Sequence, residues 1–156
     1  MVMIVPQKGG ERMKEVKKIL VPVDFSENSQ KILESAGYFA DKCSAEMYVI
    51  YVVQSFDDYS GFFVPHMPIA KFEQEMMESA EQKMASFIEV NKAALSKVLI
   101  GDVAEEIVNY ADREAIDLII MGTHGYKGLE KIMFGSVAEK VVKSAPCPVL
   151  TINPYK

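Results

Sequence analysis

Four glycines punctuate the stretch that runs from Met121-Gly122-Thr123-His124-Gly125-Tyr126-Lys127-Gly128 to Gly135-Ser136-Val137. It lies between the very apolar Leu118-Ile119-Ile120 and a helical pattern opening at Ser136. Glycine lets a backbone approach a ligand closely, and a helix start presents unpaired N–H groups at the positive end of the helix dipole. The chemistry this combination suits is the cradling of a phosphate. A second candidate is Asp24, which follows the apolar run Lys18-Ile19-Leu20-Val21-Pro22-Val23. Its carboxylate can accept hydrogen bonds from a ribose hydroxyl or an adenine amine, or it can cap the helix that follows; both roles are open. His124 brings an imidazole, the side-chain type most often used for proton transfer near neutral pH, but no Ser/Asp partner pattern accompanies it, so no catalytic residue is assigned. Lys127, Lys131, Lys140 and Lys143 outnumber Glu130 and Glu139, a local cationic surplus useful to a polyphosphate or simply a set of solvated helix faces.

The elements that must position these groups can be read from periodicity. Lys18–Val23 reads as a strand, with Pro22 placing its end outside the regular ladder. A helix capped by Ser26 follows, its apolar positions Ile32, Leu33, Ala36, Phe39, Ala40 and Cys43 recurring at helical spacing. Met47–Val53 is nearly continuous in β-branched and aromatic residues, the pattern of a strand covered on both faces. The segment 55–68, with Phe56, Tyr59, Phe62 and Phe63 among Gly61, Pro65 and Pro68, reads as an irregular loop. Ile69, Phe72, Met76, Ala80, Met84, Phe87 and Ile88 mark the core face of a long helix. Lys97–Ile100 forms a third strand ending at Gly101, and Val103, Ile107, Val108, Ala111 and Ala115 trace a third helix. Asp117–Met121 is the fourth strand. Ser136-x-x-Glu139 matches a capping box for a helix that Pro146 and Pro148 stop, and Val149–Ile152 is the last strand. Strands alternating with helices predict a three-layer α/β domain with a parallel sheet, whose ligands bind beyond the carboxyl ends of the strands where the strand order reverses.

Composition narrows the class. The 156 residues suit one domain, and the net charge of −5 argues against a nucleic acid as the main partner. Cys43 and Cys147 form neither a Cys-x-x-Cys pair nor part of a Cys/His cluster, so no disulfide framework or metal site is predicted. No apolar run approaches the length of a membrane span, and a cytoplasmic, reducing location is expected. Residues 1–16 are expected to be a peripheral N-terminal arm, with 17–156 as the single domain; Met13 is a second candidate for the native start.

The spacing Gly122-x2-Gly125-x9-Gly135-Ser136 resembles the nucleotide-binding type of the universal stress protein family. So do Lys17-Lys18-Ile19-Leu20-Val21-Pro22-Val23-Asp24-Phe25-Ser26 and the closing Ala145-Pro146-Cys147-Pro148-Val149-Leu150. The resemblance implies a flavodoxin-like, adenine nucleotide alpha hydrolase-like sheet of five parallel strands in the order 3-2-1-4-5. It further implies that Pro22, Val23 and Asp24 lie around adenine and ribose and that Val52 packs on the base. Met121, Gly122, Thr123, His124, Gly125, Tyr126, Lys127 and Gly128 would wrap the phosphates, and Gly135, Ser136 and Val137 would close the site. Ala138 departs from the hydroxyl residue often found there, which removes one possible contact.

The function expected on this basis is ATP binding, with Mg between the phosphates, in a regulatory or stress-response module. No Walker A sequence and no positioned general base are evident, so at most slow ATP hydrolysis is expected. The alternative is a dimeric interaction module that binds no nucleotide. The resemblance also implies a homodimer pairing through Val149 to Ile152, a strand edge that otherwise leaves N–H and C=O groups unpaired; a further protein partner is expected but unidentified.

Overall fold

The structure, a computed structural model, describes residues 15–55, 69–91, 95–123 and 135–154. Its elements, in chain order, are β1 (Lys18–Pro22), α1 (Glu27–Cys43), β2 (Glu46–Gln54), α2 (Ile69–Asn91), β3 (Leu95–Gly101), α3 (Val103–Arg113), β4 (Leu118–Gly122), α4 (Ser136–Ser144) and β5 (Val149–Ile152). All pairings are parallel and the sheet order is β3-β2-β1-β4-β5, as the resemblance implies.

Alternation along each strand distributes side chains to two cores. Ile19, Val21, Val23, Val49 and Ile120 meet Ile32, Leu33, Ala36 and Ala40 of α1 and Met84 of α2. Leu20, Ile50, Val52, Ile119 and Met121 meet Ala104, Ile107, Tyr110 and Ala111 of α3 and Ala138 and Val141 of α4. Ile19, Leu20, Val21, Val49, Ile50, Ile119 and Ile120 are fully buried, which is why these strands lack the polar alternation of a half-solvated sheet.

The helices depart from expectation in places. Phe72 is exposed and Met76 only half-buried, so the core stripe of α2 takes hold at Ala80 and Met84. Helix α3 ends at Arg113; Ala115, predicted within it, has φ 51° and turns the chain so that Ile116 enters the core. The capping box does not form. Gly135 is the N-cap of α4, Ser136 is its first helical residue, and Glu139 pairs forward with Lys143 at 2.6 Å. Glycine is tolerated at an N-cap, and the i,i+4 partner within reach takes the carboxylate that the box would have needed. The aromatic segment 56–68 lies outside the described residues.

Candidate functional site

Strand β1 is laced to β2 over its whole length, from Lys18↔Glu46 to Pro22↔Ile50, and Val23 N–H continues onto Ile50 O at 2.9 Å. Toward β4 the paired residues are only Ile19↔Leu118 and Leu20↔Ile119. The β1/β4 seam thus stops short of both carboxyl ends. Pro22 contributes to this because it has no N–H to give to a ladder. The reading of Pro22 as outside the ladder therefore holds on the β4 side and fails on the β2 side. A sheet that parts between its central strands, at the point where strand order reverses, is where an α/β domain binds its ligand.

On the β1 lip, Asp24 is fixed by hydroxyls. Its Oδ1 accepts from Ser26 N–H at 3.0 Å, from Ser26 Oγ, and from Ser29 Oγ at 2.7 Å, while Asp24 N–H donates to Ser29 Oγ at 3.0 Å. Ser26 is the N-cap of α1 by backbone conformation, but its hydroxyl turns to Asp24 instead of capping the helix. Of the two roles open to Asp24, organising the start of α1 is therefore present. Ser29, buried at 4% exposure, was not singled out in the sequence; the pattern Asp24-x-Ser26-x2-Ser29 is the signal that marks it. Between them Phe25 has φ 59°, a left-handed conformation that is uncommon for a bulky side chain and costs roughly 1–3 kcal/mol.

On the β4 lip the groups are backbone amides. Thr123 is buried; its N–H donates to Ile152 O at 2.9 Å, and its carbonyl accepts from Gly135 N–H at 2.7 Å. That last bond joins the two ends of the glycine stretch and uses the Gly135 amide, which therefore serves to close the loop. The first helical bond of α4 runs from Glu139 N–H to Gly135 O, so Ser136, Val137 and Ala138 have N–H groups with no acceptor inside the helix. Ser136 is exposed at this start. This donor set fits an anion.

Val52, Met121 and Val137 are gathered with Ala138 in the core on the α3/α4 side. Val23 is on the opposite face, with α1, so the two valines expected around the base do not share a face of the sheet. Pro22 and Gly122 are half-buried at the ends of β1 and β4. His124, Gly125, Tyr126, Lys127 and Gly128 lie outside the described residues.

The expected cationic surplus is partly spent within the fold. Lys140 reaches Asp102 at 3.6 Å and Lys143 reaches Glu139. Asp102 caps α3 by accepting from the N–H groups of Ala104 and Glu105, each at 3.1 Å; the Glu105 hydrogen bond, more than Lys140, holds its carboxyl below the usual range. Burial pushes the Cys147 thiol up to about 11, which disfavours the reactive thiolate and agrees with its reading as a buried small residue. Among the described residues no group of three or more His, Cys, Asp or Glu is placed to hold a metal, and no helix is long and apolar enough to cross a membrane.

Two surface hollows, of about 250 and 620 Å³, border the β1 lip through Phe25 and extend on the α2 side to Lys83. The smaller is lined mainly by apolar residues, among them Tyr51, Phe72 and Met76, with Glu75 as well as Lys83. Glu75 competes with an anion in the smaller hollow, and neither hollow is lined by the start of a helix, whereas the β1/β4 edge presents the first amides of α4.

Residues 15–153 match the model of the universal stress protein family. The chain belongs to that family. Among its universal stress protein relatives, MJ0531 of Methanocaldococcus jannaschii is 37% identical over 96% of this chain and 88% of its own length. The solved structure of MJ0577 from the same organism is 29% identical, with a TM-score of 0.76 over 90% of this chain and 97% of that one. A universal stress protein from Archaeoglobus fulgidus, solved in complex with dAMP, shares the fold at 23% identity and a TM-score of 0.55, covering 90% of this chain and all of that one, 100%.

Proposed function

We propose that this universal stress protein domain binds an adenine nucleotide, ATP with Mg between its phosphates, as a regulatory module without fast turnover. The observation that carries the reading is the unlaced β1/β4 seam, with the Asp24 carboxylate on one lip and the start of α4 on the other. Asp24 and Pro22 would face ribose and adenine, with Val52 beneath the base, while Val23, its side chain in the α1 core, would reach the ligand only through its main chain. The amides of Ser136 and Val137, the Ser136 hydroxyl and the glycine segment from Gly122 to Gly128 would meet phosphate oxygens. The binding of dAMP by the Archaeoglobus fulgidus relative supports a nucleotide as the ligand class. Fast hydrolysis is not part of this reading, because the sequence holds no Walker A pattern.

The nucleotide would act by altering the surface offered to partners. A second copy would pair along the outer edge of β5, Val149 to Ile152, whose ladder within the described chain is made with β4 alone. The expected setting is the cytoplasm, where ATP-Mg is abundant. Thermal unfolding with ATP-Mg tests the reading: ligand at 100 times its dissociation constant stabilises by about 2.7 kcal/mol. No rise in Tm at millimolar ATP would favour the interaction module that binds no nucleotide. Sedimentation at micromolar concentration tests the dimer, which a monomeric mass would exclude.

A further inference from the structure

We propose that Phe25 is a positioning residue for Asp24: its ring, clasped by Tyr51 and Phe87, holds the left-handed turn that aims the carboxylate. The inference rests on the nucleotide site proposed above and adds to it a residue outside the glycine pattern. Phe25 has φ 59°, a conformation that glycine and asparagine adopt readily and phenylalanine does not. An unfavourable backbone state persists only where its surroundings over-determine it. Here the ring lies 4.5 Å from that of Tyr51, tilted by 30°, and 5.6 Å from that of Phe87, edge-on at 74°. Tyr51 belongs to β2 and Phe87 to α2, so two elements outside the turn grip the residue inside it.

The consequence of the turn is local. It brings Ser26 N–H, Ser26 Oγ and Ser29 Oγ onto a single carboxylate oxygen of the residue just before Phe25. If the ring only filled space, a turn of this kind would form around alanine as well as around glycine, and nothing at Asp24 would depend on Phe87. If the ring enforces the turn, alanine and glycine at position 25 part company. Alanine loses the clasp and keeps the unfavourable φ, whereas glycine loses the clasp and accepts the φ.

The test compares Phe25→Ala, Phe25→Gly and Phe87→Ala in the full chain by amide hydrogen exchange at Ser26, read without nucleotide, and by ATP-Mg affinity. Phe25→Ala is expected to speed Ser26 exchange and weaken ATP about tenfold, equivalent to about 1.4 kcal/mol. Phe25→Gly should recover most of both losses, and Phe87→Ala should weaken wild type while leaving Phe25→Gly unaffected. Equal behaviour of the alanine and glycine variants, or unchanged Ser26 exchange in Phe25→Ala, overturns the proposal. A wild type that binds no ATP would overturn the site reading instead, and the exchange comparison would still decide the role of the ring.

Discussion

The two lips of the β1/β4 seam lie at one edge of the sheet but are made of different chemistry. The β1 lip is a side-chain construction: one carboxylate, two hydroxyls and a left-handed phenylalanine hold each other. The β4 lip is a main-chain construction, in which Thr123 and Gly135 tie the loop ends together and the first amides of α4 are left outside the helical ladder. A side-chain lip makes ligand contact and fold stability depend on the same atoms. A main-chain lip separates them, because its donors survive most substitutions and only bulk in the approach path can block it.

That contrast breaks most directly at Gly122. Gly122→Val places a branched side chain where the chain leaves β4, and it should lower ATP affinity at least about 100-fold, equivalent to about 2.7 kcal/mol. Denaturant midpoints should hardly move. Asp24→Ala should do the reverse in proportion, because buried Ser29 loses its acceptor: a stability loss of roughly 1–3 kcal/mol in urea unfolding, together with weaker nucleotide binding. If Asp24→Ala lost affinity with no loss of stability, the two lips would not differ in the way described.

Asp102 provides a second carboxylate at the carboxyl edge of the sheet, one that caps α3 and is assigned no ligand. Asp102→Ala should cost about 1 kcal/mol at neutral pH with no change in ATP affinity. The sign of its pH dependence follows from its lowered pKa. The folded state holds the carboxylate ionised more firmly than the unfolded chain does, so the contribution is complete above the unfolded value of about 3.9 and fades as pH falls through the lower folded value. The gap between wild type and Asp102→Ala should therefore be constant from about pH 5 to about pH 8 and should narrow in acid. Lys143→Ala, which removes an exposed pair with Glu139, should change stability by less than about 0.5 kcal/mol.

Most of the frame was legible in the sequence for a physical reason. Runs such as Val49-Ile50 and Ile119-Ile120 are apolar without interruption because both faces of a central strand are covered, and Ile32, Leu33, Ala36 and Ala40 recur at the helical period because one face of α1 is. Strand order is not written in periodicity and came from the family resemblance. What escaped reading depends on local competition between partners. Ser136 and Glu139 have the spacing of a capping box, yet Lys143 takes the glutamate and Gly135 takes the cap. Ala115 fits the helical stripe, yet the chain turns left-handed there to deliver Ile116 to the core. Phe25 gives no propensity signal for φ 59°, because that conformation is imposed from β2 and α2. Of the candidate site, Asp24 and the glycine spacing were visible; the hydroxyls that fix Asp24 and the bond that uses the Gly135 amide were not.

The central claim is that one nucleotide bridges both lips. Chemical-shift mapping of the labelled protein during titration with ATP-Mg tests it most directly. Saturable perturbations are expected at Asp24 and Val52 together with Thr123, Ser136 and Val137, all following one binding curve. Perturbations confined to the hollow around Phe72, Met76 and Lys83, or none at millimolar ATP, would contradict it.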